Sequence, residues 1–206
     1  MNTKEKILNS ALDLFAENGY NAVTVRDIAA KVGIKASSLY NHFENKQNIL
    51  DELIKINTKY IASFKNKLYS ENKFICKKFS DEDSFNIYFL DNTLKIIRLY
   101  FKDNKILKFR KLLSIEQCRN SSLASLYEEI FVNSVLEYES KFFKYLINKN
   151  ILLKKDPYVL AVEFYSPIFL LLYNKDTISH ANYESVEKHI LNFKETYYTK
   201  GGFIWT

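Results

Sequence analysis

Hydrophobic positions in this 206-residue chain recur at intervals of three and four, the period of helices that bury one face. The first run opens at Asn2, whose side chain suits a helix N-cap, and Glu5 three places on completes a capping box. Ile7, Leu8, Ala11, Leu14 and Phe15 then share a face, and Gly19 closes the helix. A second run repeats the capping spacing with Thr24 and Asp27. It continues through Val25, Ile28, Ala29 and Val32 and stops at Gly33, a residue that tolerates the left-handed conformation that ends helices. Ile34 is placed to plug the turn, and a third short helix is predicted through Ser37, Ser38, Leu39, Tyr40 and Asn41 towards Phe43.

Asn45 suits the cap of a fourth helix, a long strut with an apolar stripe of Ile49, Leu53, Ile56, Tyr60, Phe64 and Leu68. Beyond a polar break at Ser80 to Ser84, segments from near Phe85, Lys105, Ser122, Pro157 and Tyr183 carry helical patterning. The final GGFIWT reads as a loose or docked tail after a helix from Tyr183 to Tyr198. No segment alternates convincingly as a strand and no internal repeat stands out. The pattern predicts an all-α fold, with an N-terminal three-helix module over residues 1–46 and a helical bundle over 47–206.

Composition supports long helices, since four Gly and two Pro leave little material for tight turns. The 16 Phe and 15 Tyr imply either an aromatic core or an aromatic-lined cavity, and composition does not choose between them. A formal charge of +6 admits a polyanionic partner, yet residues 1–50 hold six basic side chains against five acidic ones, a net of only +1. Bulk charge therefore decides little. Cys76 and Cys118 belong to no CxxC pair, which argues against a zinc site or redox dithiol and for buried structural thiols. The N-terminus lacks the layout of a signal peptide. The most apolar stretch, Val159 to Tyr173, is interrupted by Glu163 and Pro167 and is shorter than the roughly 20 residues of a membrane span. A buried helix, no membrane association and a cytoplasmic location are expected.

The second and third helices joined through Gly33 have the form of a helix-turn-helix, in which one helix braces and the next enters the DNA major groove. Ala29 and Ala30 keep the bracing helix slim, while Ile34 and Leu39 pin the third helix to the core. The other face of that helix carries Ala36, Ser37, Ser38, Tyr40 and Asn41, small and polar groups able to meet base edges or thymine methyls. The whole segment TVRDIAAKVGIKASSLYNHFENKQNIL, residues 24–50, resembles the DNA-binding segment of the TetR family in its T-x-x-x-I-A, its Gly-Ile turn and its L-Y-x-H-F-x-N-K.

That resemblance, which covers about residues 1–60 well, implies a homodimeric, sequence-specific regulator, in the main a repressor of an inverted-repeat operator in double-stranded DNA. Residues 1–46 would be the DNA-binding domain and 47–206 the effector-binding and dimerisation domain. Matching positions place Thr24, Tyr40, His42 and Lys46 at phosphates, and Arg26, Ala36, Ser37, Ser38 and Asn41 near bases. Structural alternatives stand beside these: Thr24 is also a cap, Tyr40 and His42 could pack against the strut, and Arg26 could be a solvated charge. Lys46 has the fewest such alternatives. The chain departs from the family at Lys35, where a Ser or Thr cap is usual, at Ser37, where Gly is frequent, and at Asn48, which replaces a frequent Glu. Lys35 could compensate as a flexible charge reaching a phosphate.

The resemblance further implies a small effector, here expected to be apolar or aromatic because the later helices offer many rings and few clustered charges. Phe109, Tyr127, Tyr165 and Phe169 are the candidate wall residues, although an aromatic at helical spacing is more often plain core. Dimerisation is expected through the last two helices. Two rival readings are a constitutive DNA-binding regulator without ligand, and a helical small-molecule-binding protein with a vestigial DNA module. His42, His180 and His189 show no HExxH spacing, and no nucleophile elbow, Walker loop or dinucleotide fingerprint occurs. No enzyme activity, cofactor or metal is expected.

Overall fold

The computed structural model describes residues 2–75, 82–174 and 179–199, and within them the side chains other than those of 68–75, 82–89, 92 and 174. Cys76 and the GGFIWT tail lie outside this set, as does the side chain of Leu68. Among the described residues the regular structure is helical, apart from an isolated antiparallel bridge between Leu152 and Tyr198. The helices are α1 (Thr3–Asn18), α2 (Val25–Val32), α3 (Ala36–Leu39), α4 (Lys46–Ile75), α5 (Glu82–Lys102), α6 (Asn104–Glu116) and α7 (Ser121–Glu128). A π-helical turn, Glu129–Asn133, leads into α8 (Ser134–Asn148), followed by α9 (Pro157–Asn174) and α10 (His180–Tyr197). The run expected as one helix from Ser122 is thus interrupted by the π turn, a wider winding that period counting does not register. No helix among the described residues is long and apolar enough to cross a membrane.

The residues group into two compact units that do not follow chain order. The first joins Met1–Lys67 with Asn104–Tyr127, and the second joins Leu68–Asp103 with Glu128–Thr206.

In the first unit α1 begins with the expected capping box, Asn2 accepting from Glu5 N–H at 2.8 Å and Glu5 returning the bond. Its face of Ile7, Leu8, Ala11, Leu12, Phe15 and Ala16 is buried against α2 and α6. Ile106, Phe109, Leu112 and Leu113 of α6 are fully enclosed. Each such side chain removed from water contributes about 1.5–3 kcal/mol. On the rim, Asp13 of α1 is paired with Lys108 at 2.5 Å and Lys31 at 3.6 Å.

Along α4 the buried line differs from the expected stripe. Ile49, Leu50, Leu53, Asn57 and Ile61 face inward, while Ile56 and Tyr60 are exposed. Asn57 misleads a hydrophobic pattern, because it satisfies its buried amide by donating from Nδ2 to Leu53 O at 2.8 Å.

In the second unit α8, α9 and α10 pack around Phe143, Phe164 and Phe193, whose ring centroids lie 5.0–5.5 Å apart. Tyr100 of α5 meets Phe131 edge-on at 5.6 Å, and the Tyr165 hydroxyl donates to Phe131 O of the π turn at 2.7 Å. Much of the aromatic excess is therefore core packing. Inside α9, Pro167 breaks the regular hydrogen-bond ladder. His189 of α10 reaches across and donates from Nε2 to Phe164 O at 2.8 Å. The bundle also encloses Glu139 of α8, whose carboxyl desolvation pushes up to a pKa of about 8. The expectation of buried thiols fails for Cys118, which is exposed.

Candidate nucleic-acid interface

Three local devices shape residues 24–43. Thr24 caps α2 reciprocally with Asp27: Asp27 N–H donates to Thr24 Oγ1 at 3.2 Å, while Thr24 N–H and Oγ1–H donate to Asp27 Oδ2 at 2.8 and 2.7 Å. The bond from the Thr24 hydroxyl, then that from its N–H, holds the Asp27 carboxyl below the ordinary carboxylate range. At the other end Gly33 adopts φ 79° and ψ 33°, its N–H bonding Ala30 O at 3.1 Å while Ile34 N–H bonds Ala29 O at 3.0 Å. These two bonds form a Schellman closure, which needs a left-handed residue at Gly33. The third device is α3, shorter than expected. Regular winding ends at Leu39 and a tighter turn follows, with His42 N–H bonding Leu39 O at 2.9 Å. Lys35 supplies no side-chain cap, so the first turn of α3 lacks the support a Ser or Thr would give.

Leu39 is fully buried and Phe43 nearly so, which pins one face of α3 and the following turn to the unit. The candidate base and phosphate contacts lie on the remaining surface. Ser37, Asn41, His42 and Lys35 are exposed, Ala36 and Ser38 are half-buried, and Tyr40 is 55% exposed. Thr24 and Arg26 are also exposed, at the start of α2. Neither Tyr40 nor His42 is buried against the strut, the alternative weighed from the sequence.

Lys46 differs from its expectation. It is the first residue of α4, behind an Asn45 side chain that accepts from Asn48 N–H at 2.9 Å. Its Nζ donates to Tyr20 O at 2.9 Å and Val23 O at 2.8 Å, and lies 4.1 Å from the centre of the Tyr20 ring. The ammonium thus ties the loop after α1 to the strut, a structural task that spacing along the chain does not reveal. Tyr20 is the hub of a network that sequence reasoning missed. Its hydroxyl donates to Gln47 Oε1 at 3.0 Å, its N–H donates to Glu116 Oε1 at 2.8 Å, and its ring meets Phe15 edge-on at 5.3 Å. Burial, then the carboxylates of Asp51 and Glu116, raise the phenol pKa above its ordinary value.

The four candidate effector residues divide. Tyr165 and Phe169 line a groove of about 500 Å³ in the second unit, with Val132, Leu136, Val162 and Leu170 among its other walls. Phe109 is fully enclosed in the first unit, and Tyr127 is 4% exposed there, so both serve as core. Among the described residues no cluster of His, Cys, Asp and Glu could hold a metal ion.

Comparison with known proteins agrees with this geometry. Residues 7–53 match the bacterial regulatory proteins of the tetR family. The HTH-type negative transcriptional regulator IcaR of the icaADBC biofilm operon, from Staphylococcus aureus, is 46% identical over 52 residues, 25% of this chain and 28% of IcaR. A TetR-family regulator from Mesorhizobium loti superposes with a TM-score of 0.68 at 16% identity, over 96% of this chain and 97% of that one. SmeT, the repressor of the Stenotrophomonas maltophilia efflux pump SmeDEF, gives 0.64 at 16% identity, over 99% and 94%. Residues 7–53 thus match the tetR family of bacterial regulatory proteins, and the chain shares the fold of these solved regulators along nearly its whole length.

Proposed function

We propose that the chain is a homodimeric, sequence-specific DNA-binding regulator, and that it acts as a repressor of an inverted-repeat operator. One observation carries the reading: α3 is anchored by Leu39, and Ser37 of this helix and Tyr40 and Asn41 of the turn that follows it are offered to solvent, behind a bracing helix closed at Gly33. In this reading residues 1–46 form the reading module and 47–206 the dimerising and effector-responsive part. Arg26, Ala36, Ser37, Ser38 and Asn41 face bases, while Tyr40, His42, Lys35 and the remaining N–H of Lys46 meet phosphates. Thr24 joins the phosphate contacts by turning its hydroxyl proton away from Asp27.

The dimer forms across α9 and α10. Val162, Leu170, Tyr173 and Leu191 stand 37–58% exposed on these helices, an apolar face that a monomer has little reason to keep in water. A two-fold axis there sets the two half-sites about 34–36 Å apart. The effector part of this reading is supported by the groove against the π turn, whose walls Val162, Leu170 and Tyr173 also belong to the proposed dimer face: Tyr165 and Phe169 bound a space large enough for a small apolar or aromatic effector. Such an effector lowers DNA affinity to the extent that it prefers the conformer with the wrong half-site spacing.

Random-site selection with the full chain, followed by sedimentation with and without the selected duplex, tests the proposal. The expected result is an inverted repeat bound by one dimer. Selection of no sequence, or a monomer at micromolar concentration, would sink it.

A further inference from the structure

Two charged side chains of the first unit stand at helix ends that disfavour them. Lys46 opens α4, where unpaired N–H groups already concentrate positive charge, and Glu116 closes α6, where unpaired carbonyls concentrate negative charge. Both find their partner in one residue of the loop between α1 and α2. Glu116 is 3% exposed and accepts the N–H of Tyr20 at 2.8 Å. Lys46 donates to the carbonyl of the same Tyr20 at 2.9 Å and to that of Val23 at 2.8 Å. Gly19 makes room for the grip. A Cβ there would lie 3.0 Å from Glu116 Oε1 and 3.3 Å from Ile115 Cγ2, and its φ of +80° is one that other residues rarely adopt.

We propose that Glu116 is a positioning residue for DNA binding: from α6 it holds the main-chain N–H of Tyr20 while Lys46 of α4 holds its carbonyl. Beside the packing of α1 on α6 and the Asp13–Lys108 pair, the loop that leads into the reading module is thereby gripped by two helices at one residue. The proposal rests on the DNA-binding reading above and adds which contact sets the placement of the module. Without the Glu116 acceptor the loop after α1 is released from the end of α6, and the module's orientation loosens while its own fold persists, because its caps, its Gly33 closure, its Leu39 anchor and the packing of α1 on α6 do not depend on Glu116. A single half-site needs one intact module, whereas an inverted repeat needs two modules held in register. Loss of the grip therefore weakens the second kind of binding alone.

The test uses the full chain, its Glu116→Ala and Glu116→Gln variants, and two duplexes built from the selected site, one carrying the complete repeat and one a half-site. Glu116→Ala removes the acceptor, whereas Glu116→Gln keeps one acceptor oxygen, exchanges the other for an NH2 donor and discards the charge. With the competent orientation reduced to about a tenth of the population, Glu116→Ala weakens binding to the complete repeat about tenfold. Its half-site affinity stays within about twofold of wild type, and Glu116→Gln binds both duplexes as wild type does. Hydrogen exchange of the Tyr20 amide, followed by NMR, speeds up in Glu116→Ala and not in Glu116→Gln.

The proposal is overturned if Glu116→Ala binds the complete repeat as tightly as wild type, if it weakens both duplexes alike, or if Glu116→Gln behaves as Glu116→Ala. If the wild-type chain selects no sequence, the DNA-binding reading fails and takes this one with it. A wild-type chain that selects a repeat which Glu116→Ala binds equally well leaves that reading intact and removes only the positioning role.

Discussion

Substitution of Lys46 by Met keeps the side-chain length and removes the ammonium, so it separates the structural duty of this residue from any duty on DNA. Two hydrogen bonds to main-chain carbonyls, at 2.9 and 2.8 Å, and a cation–π contact at 4.1 Å are lost together. A hydrogen bond made by a charged group contributes about 1.5–3 kcal/mol. The site is only part-buried, so water can reclaim the Tyr20 and Val23 carbonyls and the lower end applies to the pair as a whole. The cation–π contact adds about 0.5–1 kcal/mol at such a site. The sum, about 2–2.5 kcal/mol, lowers the melting temperature by about 4–10 °C for a chain of this size. Thermal unfolding by circular dichroism reads the shift, and urea unfolding should show a lower midpoint with an unchanged slope. DNA binding, measured well below the transition, reads the second duty. If the third N–H meets a phosphate, affinity falls equally for specific and random duplexes and the salt slope drops by about 0.9. A melting temperature within 1 °C of wild type (about 0.3–0.5 kcal/mol) would refute the structural argument, and an unchanged salt slope would remove Lys46 from the phosphate contacts.

Three further outcomes are expected. Replacing Asn41 by Ala should redistribute sequence preference at one base pair of each half-site by about 1–3 kcal/mol; repeated site selection that returns the wild-type motif would exclude it as a reader. Gly33→Ala should destabilise by about 1–2 kcal/mol, the cost of a left-handed φ for a side chain. Nothing lies within 4 Å of the added Cβ, so Gly33→Asn, more tolerant of that conformation, should recover part of the loss in a chemical-denaturation series. The third concerns Glu139, whose raised pKa means that the folded chain binds a proton the unfolded chain has released. Stability is highest at and below the unfolded carboxyl value near 4.5, falls as pH rises towards about 8, and levels off above it. Glu139→Gln should flatten this slope and leave the variant the more stable at pH 8. A wild-type stability that is flat or rising between pH 5 and 8 after subtraction of the Gln variant would contradict the buried position of this carboxyl.

How much of the molecule was readable from its residues depends on how far apart the interacting groups lie. The boxes at Asn2 and Thr24, the Asn45 cap and the closure at Gly33 each join groups within five positions of one another. Backbone geometry brings such groups together whatever the rest of the chain does, so the sequence by itself determined them. The exposed surface of residues 36–41 follows from the same locality, since the single turn of α3 sends Leu39 inward and Ser37 outward and the tighter turn after it leaves Tyr40 and Asn41 exposed. Periodicity tells which face of a helix is apolar but not what covers it, and this is where the tertiary structure decided. Asn57 took a core position by bonding its own helix, while Ile56 and Tyr60 stayed exposed. Phe109 became core in the unit that holds the reading module, and Phe169 became the wall of a groove, although both are aromatics on helical patterns. Glu116 and Lys46 carry no mark of their shared partner, because Tyr20 reaches them only when α4 and α6 close around the loop after α1. A hydrogen bond between residues distant in sequence is a property of packing, and local pattern contains no term for it.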